Sequence, residues 1–444
     1  MTALPVSPTL VFRLPRVSRP FPVPRTILAL WLAIAVATGV RTVISPTRHT
    51  VFPIFATAAA HWWNDQPLYQ DYKPLDYFRY PPVFAVFVSP FAALGLRVGG
   101  VLWTWLGLAV YAHGVWQFRR DVIPAGQSPR RDTAFFALAT AGALAGVWNA
   151  QSNALVVGLI LRAAAAFARG ESRASALWLA IAVALKPSPL PLVLLLCALW
   201  PRRLAGWFAL TLIAVGLVPF LTRPPAVVSR HYVDWAVQQQ RLANERWPGF
   251  RDAWTVWQVS ANVGGPIDLR APVDSRAYRL LQAISGLACL AGCLALRLAG
   301  VGERVLLLRT LGMGAAWLML FGPAVEHSTY VFLAPFSAAA AVGFETRPFG
   351  RALAVAACAL ILTFGWGAVS LRLVTLVPGV LAALPVGTAL FALGLALDLF
   401  VRPRAARLML PEIGLARVPP LPPQRQPVAR ASRPRPPVEA VVCR

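Results

Sequence analysis

The stretch Ala174–Trp200, ASALWLAIAVALKPSPLPLVLLLCALW, decides how the rest of the chain is read. It holds two apolar runs and one charged side chain, Lys186, at the start of a cluster formed with Pro187, Pro189 and Pro191. A helix at a water-facing surface keeps a polar face, and neither run has one, so the surroundings of both must be apolar. Each run, 174–186 and 189–200, is shorter than the ~20 residues of a straight membrane crossing. The prolines remove backbone donors between them, and a pair of half-helices dipping toward a cavity is expected. A lysine at the centre of a span costs roughly 2.5–3.5 kcal/mol, and ionisable residues in such places are functional by default. The plainer reading is a lysine that snorkels to an interface.

The composition carries the same message outward. Of 444 residues 57% are hydrophobic and only 13% charged, where soluble domains average about 25% charged; mean hydropathy is +0.61. So little charge cannot cover a surface in water, and lipid is the solvent for much of the chain. The net charge of +25 first suggests nucleic acid, but the aromatic-interleaved basic folds that such binding uses are absent. The arginines lie instead between apolar runs and in both tails, while lysine occurs only as Lys73 and Lys186. Cys197, Cys289, Cys293, Cys358 and Cys443 show neither metal spacing nor a paired framework, so no disulfide, metal or cofactor is expected. Walker, GxGxxG, HExxH and GxSxG motifs do not occur, which leaves nucleotide and protease readings without support.

Residues 1–25 form a basic Pro-rich tail, and the apolar run 26–44 is too long for a signal peptide's core and has no small-residue cleavage site. It is expected to be an uncleaved first span with a cytoplasmic N-terminus. Four short links carry arginine: Arg119, Arg120, Arg130 and Arg131; Arg169 and Arg173; Arg202 and Arg203; Arg347 and Arg351. All four should be cytoplasmic. Residues 81–96, interrupted by Pro90, are then an interfacial or re-entrant segment on the outer face, because a full crossing there would place Arg119–Arg131 outside. The expected fold is an all-α integral membrane protein, a polytopic bundle of about twelve transmembrane helices. The spans are 26–44, 98–117, 133–148, 154–169, 174–186, 189–200, 204–221, 278–298, 304–322, 328–343, 352–373 and 379–401. Residues 402–444, Pro- and Arg-rich, read as a disordered basic cytoplasmic tail, and a multi-pass plasma (inner) membrane protein with both termini cytoplasmic results. No internal repeat points to a transporter's inverted halves.

That topology leaves two long outer segments, 45–97 and 222–277. The first carries His49, His61, Asp65, Asp71, Lys73, Asp76, Arg79 and a dense aromatic set, among them Trp62, Trp63, Tyr69, Tyr72, Tyr77, Phe78 and Tyr80; the second carries Trp235, Trp247, Trp254 and Trp257. Three outer turns complete the face: Asn149–Asn153, Lys186–Pro189 and Glu326–Ser328. Each has a plain structural reading. Asn149, Gln151 and Asn153 suit turns that satisfy helix ends, Glu326 with His327 suits a helix cap, and the aromatics suit an interfacial belt. The functional reading of Glu326 and His327 is a general acid/base pair at the mouth of a membrane cavity.

Several motifs together resemble glycosyltransferase family 87 within the GT-C membrane glycosyltransferases. Phe55-Ala56-Thr57-Ala58-Ala59 with Gln66-Pro67-Leu68-Tyr69 resembles the family's Tyr-x-Ala-Ala then Pro-Leu-Tyr stretch, and Arg79-Tyr80-Pro81-Pro82 its Tyr-Pro-Pro segment. Ala150-Gln151-Ser152-Asn153 is similar to its Gly-Gln-x-Asn turn, Ala184-Leu185-Lys186-Pro187 to its Leu-Lys-Pro, and Val325-Glu326-His327-Ser328 to its Trp-Asp/Glu-His-His. The resemblance implies a GT-C-like bundle with interfacial helices in the first outer loop. It also implies inverting, metal-independent transfer of a hexose, mannose in this family, from a polyprenyl-phosphate donor. The expected acceptor is a glycan, lipid or glycolipid on the extracytoplasmic side.

One departure stands out. The family places an aspartate, its expected catalytic base, a few residues before the Tyr-x-Ala-Ala stretch, where this chain has His49-Thr50. His49, Asp71, Asp76 or Glu326 takes that role, or the acceptor differs, or activity is impaired. His327 with Glu326 would orient or deprotonate the acceptor hydroxyl. Lys186 or Arg79 would stabilise charge on the leaving phosphate, with Tyr80, Gln151 and Asn153 binding substrate beside them. A transporter or lipid carrier, or an inactive relative, is the alternative from another class.

Overall fold

The computed structural model describes residues 22–124, 128–244, 276–322, 325–366 and 383–401, and the described residues are mostly helical, with no strand among them. Five helices are long and apolar enough to cross a membrane, Arg25–Ile44, Gly95–Asp121, Pro201–Leu221, Arg279–Leu298 and Glu303–Phe321; six shorter apolar helices accompany them. Every one of the twelve expected spans contains helix, although the half-length pieces do not by themselves establish twelve crossings.

The segment expected to be the first outer one opens after α1 (Arg25–Ile44) and holds two short helices, α2 (Phe52–Trp63) and α3 (Pro82–Ala92). The chain then enters α4 (Gly95–Asp121), α5 (Pro129–Trp148), α6 (Asn153–Ala168), α7 (Ser172–Leu185), α8 (Leu190–Leu199) and α9 (Pro201–Gly216). Local chemistry accounts for the boundaries. Ser128 accepts from the Arg131 amide ahead of Pro129 at the first position of α5, the arrangement that satisfies one orphan donor and removes another. Beyond Lys186 the chain cannot continue as helix, since Pro187 clashes with the helical conformation of the residue before it.

α4 and α6 cross at glycines. A Cβ on Gly114 would lie 2.4 Å from the Gly158 carbonyl oxygen, and one on Gly158 would lie 2.5 Å from that of Val110. Small residues let backbones approach where lipid offers no hydrophobic drive between helices. This crossing sets where the N-terminus of α6 emerges.

Side-chain contacts sort the helix ends into two groups. At one end Arg119 pairs with Asp132 at 2.6 Å, Asp121 takes both Arg120 and Arg169 at 2.8 and 2.6 Å, and Arg203 pairs with Glu303. Arg119 also lies over Phe344, 5.1 Å from its ring centre, which draws in the turn ahead of Arg347 and Arg351. The four arginine links thus gather at one end. At the other end the two long outer segments touch: Arg223 pairs with Asp65 at 3.1 Å and donates to the Trp62 and Trp63 carbonyls, and Trp62 donates to Thr222 at 3.2 Å.

Two expectations are corrected. The expected span 328–343 is a 3-10 turn, His327–Phe332, followed by the short helix α13 (Ala334–Ala341), because Glu326 and Thr329 form a reciprocal cap and Pro335 starts a new helix. Much of the aromatic set is core rather than belt: Trp62, Phe78 and Phe84 are fully buried, and Phe55 meets Tyr80, Phe84 and Trp103 edge-on at 5.1, 4.8 and 5.6 Å. The second outer segment contains a 20-residue helix, α10 (Pro225–Asn244); Trp247, Trp254 and Trp257 lie outside the described residues. The remaining helices are α11 (Arg276–Leu298), α12 (Glu303–Phe321), α14 (Pro348–Phe364) and α15 (Ala383–Val401). Parts of the last two expected spans, and both tails, also lie outside the described residues.

Candidate active site

The turn between α5 and α6 is the hub. Its backbone closes by Asn149, Ala150 and Gln151 amides donating to the Ala145, Val147 and Gly146 carbonyls at 3.1, 3.0 and 2.9 Å. That closure requires the left-handed region at Ala150, where φ is +52°, a place usually taken by glycine. Trp103 of α4 donates to the Ala150 carbonyl at 2.8 Å, and the Val51 amide donates to the Asn149 carbonyl at 3.0 Å. The start of the first outer segment is therefore tied to this turn. Arg41, at the end of α1, donates to the Trp148, Arg48 and His49 carbonyls and clamps the same junction. Arg41 escapes a reading by sequence because one arginine near the end of an apolar run looks like an interface anchor.

From the turn a continuous polar chain runs through three elements. The Lys186 ammonium donates to Asn153 Oδ1 at 2.5 Å, and Asn153 Nδ2 donates to Gln151 Oε1 at 2.9 Å and to the Ser328 carbonyl at 3.2 Å. Gln151 Nε2 donates to Glu326 Oε2 at 3.3 Å, and Ser328 Oγ to the same oxygen at 3.5 Å. The three outer turns, distant in sequence, are one cluster. Glu326 fulfils its plain reading too: it is the N-cap of the 3-10 turn. A capping carboxylate that also accepts from Gln151 is fixed in position from both sides.

Tyr80 closes the cluster from the first outer segment. Ser152 donates to its hydroxyl at 3.0 Å, its ring stacks on Phe84 at 4.2 Å, and the Lys186 ammonium lies 5.8 Å from its ring centre, within reach of a cation–π attraction. Burial pushes the Tyr80 hydroxyl up to about 12; Ser152 and Arg79 oppose the shift and Glu326 adds to it. The phenol stays neutral at physiological pH. Arg79 pairs with Asp76 at 3.4 Å, and its carbonyl accepts from Trp235 and Gln239 of α10 at 3.3 and 3.0 Å. The second outer segment thus braces the first where it meets the cluster.

Lys186, Asn153, Gln151, Glu326, Tyr80 and, beside them, His327 and Arg79 are brought together, and Asp76 adjoins through Arg79. His327 is half-buried, and burial holds its imidazole below the usual histidine value while the Glu326 carboxylate opposes the shift. His49 is exposed, with φ +50°, two residues before the Val51 link to the turn. Asp71 is exposed and pairs with exposed Lys73 at 2.9 Å. Ser152 and the Ser328 carbonyl are members that sequence reasoning did not single out; a serine within a polar turn carries no distinguishing signal. Among the described residues no three His, Cys, Asp or Glu side chains converge as metal ligands.

The model of glycosyltransferase family 87 matches residues 78–323, more than half of the chain. The chain belongs to glycosyltransferase family 87. It is an integral membrane glycosyltransferase. Tyr80, Gln151, Asn153 and Lys186 fall within the family match, whereas His49 and the Glu326-His327 pair lie beyond its ends. No curated protein matches the sequence. Among solved structures, ArnT from Cupriavidus metallidurans bound to undecaprenyl phosphate is 15% identical, with a TM-score of 0.38, over 87% of this chain and 79% of that one. ArnT from the same organism in the apo state is 17% identical, with a TM-score of 0.39, over 84% and 76%.

Proposed function

We propose that this family 87 protein transfers a sugar, mannose by family resemblance, from a polyprenyl-phosphate donor to an acceptor hydroxyl on the extracytoplasmic side. The observation that carries this reading is the unbroken chain Lys186–Asn153–Gln151–Glu326, which sets a cation and a carboxylate at opposite ends of an amide relay. A glycosyl transfer from a lipid phosphate needs those two charges and little else. The donor tail partitions into the bilayer at roughly 0.8 kcal/mol per buried CH₂. Its phosphate lies at Lys186, with Arg79 behind it.

In the step itself the bond between the anomeric carbon and the phosphate oxygen breaks, and its electron pair leaves on the polyprenyl phosphate. The acceptor oxygen forms the new bond at the opposite face, and its proton passes to a positioned base as the oxocarbenium-like centre develops. Positive charge from Lys186 stabilises the leaving phosphate most when its charge is fully developed. Glu326 is the carboxylate best held for the base, since Gln151, Ser328 and Thr329 fix its orientation. His327 orients the acceptor or relays the proton. Asp71 is the weakest candidate because its partner is an exposed lysine.

The test is to incubate the purified protein with radiolabelled polyprenyl-phosphate-mannose and a crude glycolipid acceptor extract. Released polyprenyl phosphate together with labelled acceptor supports the proposal. Movement of intact donor across proteoliposomes without cleavage would identify a carrier, and donor binding without release would identify an inactive relative.

A further inference from the structure

At the arginine-bearing end of the molecule, α5 and α14 enclose a groove of about 440 Å³ floored by Ala341 and Val342. The two helices run in the same direction: their first turns flank the groove, and their far ends meet where Trp148 and Trp366 lie 5.9 Å apart. Arg130, Arg131 and Arg351 stand at its mouth, and all three are exposed. Below them the walls are apolar, with Ala134 and Leu138 from α5 and Val355, Ala359 and Leu362 from α14. These positions recur every three or four residues, so each helix turns one face to the groove. Arg351 is held in the wall by donating Nε–H to the Ala341 carbonyl at 3.0 Å. Among the described residues no acid lines the groove, and nearby Asp132 pairs with Arg119 and Asp398 with Arg309.

We infer that this groove binds one anionic diacyl phospholipid from the leaflet at the arginine end, its phosphate among the three guanidinium groups and one acyl chain along the apolar walls. Guanidinium forks match phosphate oxygens in pairs. Basic pockets between membrane helices on the cytoplasmic side commonly take such headgroups. Arg351 and Leu362 are separated by eleven residues, about 16 Å of helix rise, which suits a chain lying along the walls. A free phosphate would leave that apolar length unfilled. The donor lipid is not the occupant either: Arg130 and the Asn149 turn lie at opposite ends of α5, about 28 Å apart by helix rise. A phosphate at Lys186 and one at Arg130 belong to different leaflets.

Native mass spectrometry of the purified full chain, with phosphatidylglycerol and phosphatidylcholine of identical chains, reads the occupancy. We expect one retained phosphatidylglycerol, preferred about ten-fold or more over phosphatidylcholine. The triple variant Arg130→Gln, Arg131→Gln, Arg351→Gln should lose that preference, and Ala359→Trp, which plugs the groove with the arginines intact, should lose the adduct. Inorganic phosphate or glycerol phosphate should not displace the lipid. Equal retention of the two lipids, or an adduct that survives both substitutions, would overturn the inference. Displacement of the lipid by undecaprenyl phosphate at equal concentration would also overturn it, by assigning the groove to the donor. Should the triple variant fail to fold, Ala359→Trp decides alone, because its site faces outward and its fold is read by an unchanged melting temperature in phosphatidylcholine.

Discussion

Lys186 is the residue on which the proposed chemistry turns. Removing a preorganised charge from a developing oxyanion costs about 100- to 1,000-fold in rate, and Lys186→Ala should lose donor turnover on that scale while the protein still purifies as a folded monodisperse species. Near wild-type turnover would take the phosphate from Lys186. For His327 the direction of its shift gives a sign. Burial depresses its pKa, so the folded protein binds fewer protons there than the unfolded chain, and stability from this group falls as pH drops below the unfolded value of about 6.5. If the neutral imidazole takes the proton, transfer rate holds steady from pH 8 through 6.5 and declines only below. His327→Gln should remove that acid limb, and a pH profile identical to wild type would reduce His327 to a wall of the site. Ala150 carries backbone strain instead of chemistry. A left-handed alanine costs about 1–2 kcal/mol, so Ala150→Gly should raise the melting temperature with kcat preserved; a lower melting temperature would mean that the buried methyl outweighs the strain.

Among the elements, the crossing of α4 and α6 determines whether the turn at Asn149–Ser152 meets Lys186 at all. Gly158→Val forces a side chain into the Val110 carbonyl, an overpacking that costs about 1–3 kcal/mol in a packed interior. The variant should lose transfer activity and melt earlier, and retention of both would show that the helices can shift apart without moving Asn153. α7 and α8 matter for depth. Ten residues of α8 rise only about 15 Å, half the ~30 Å hydrocarbon thickness, so α8 alone is too short to cross. The prolines of 187–191 already announce the break between the two helices. The split of 328–343 into a 3-10 turn and a short helix is different: its apolar residues read as one run despite Pro335, and the contacts of Glu326 with Thr329 and Gln151 reveal why the first part is a 3-10 turn.

Across the whole molecule, the arginine links and the amide-bearing turns are separated. The arginine links join one another at one end, and the three polar turns join one another at the other. Single cysteines placed at 151, 186 and 327, each in a cysteine-free background, should react with an impermeant maleimide from the same side of sealed vesicles, and one at 130 from the opposite side. Labelling of 151 and 186 from different sides would dissolve the proposed site.

Hydropathy determined by itself that the chain is a helical membrane protein and roughly where its helices lie, and arginine placement which links gather at one end, because insertion into lipid is a matter of local composition. The same sequence also marked Lys186, Gln151, Asn153 and Glu326, since polar groups stand out against so apolar a background. Only the tertiary structure decided that these residues form one hydrogen-bonded chain and that much of the loop's aromatic set is core. Those outcomes depend on how helices far apart in sequence cross and pack, and no local signal in the chain encodes a distance between them.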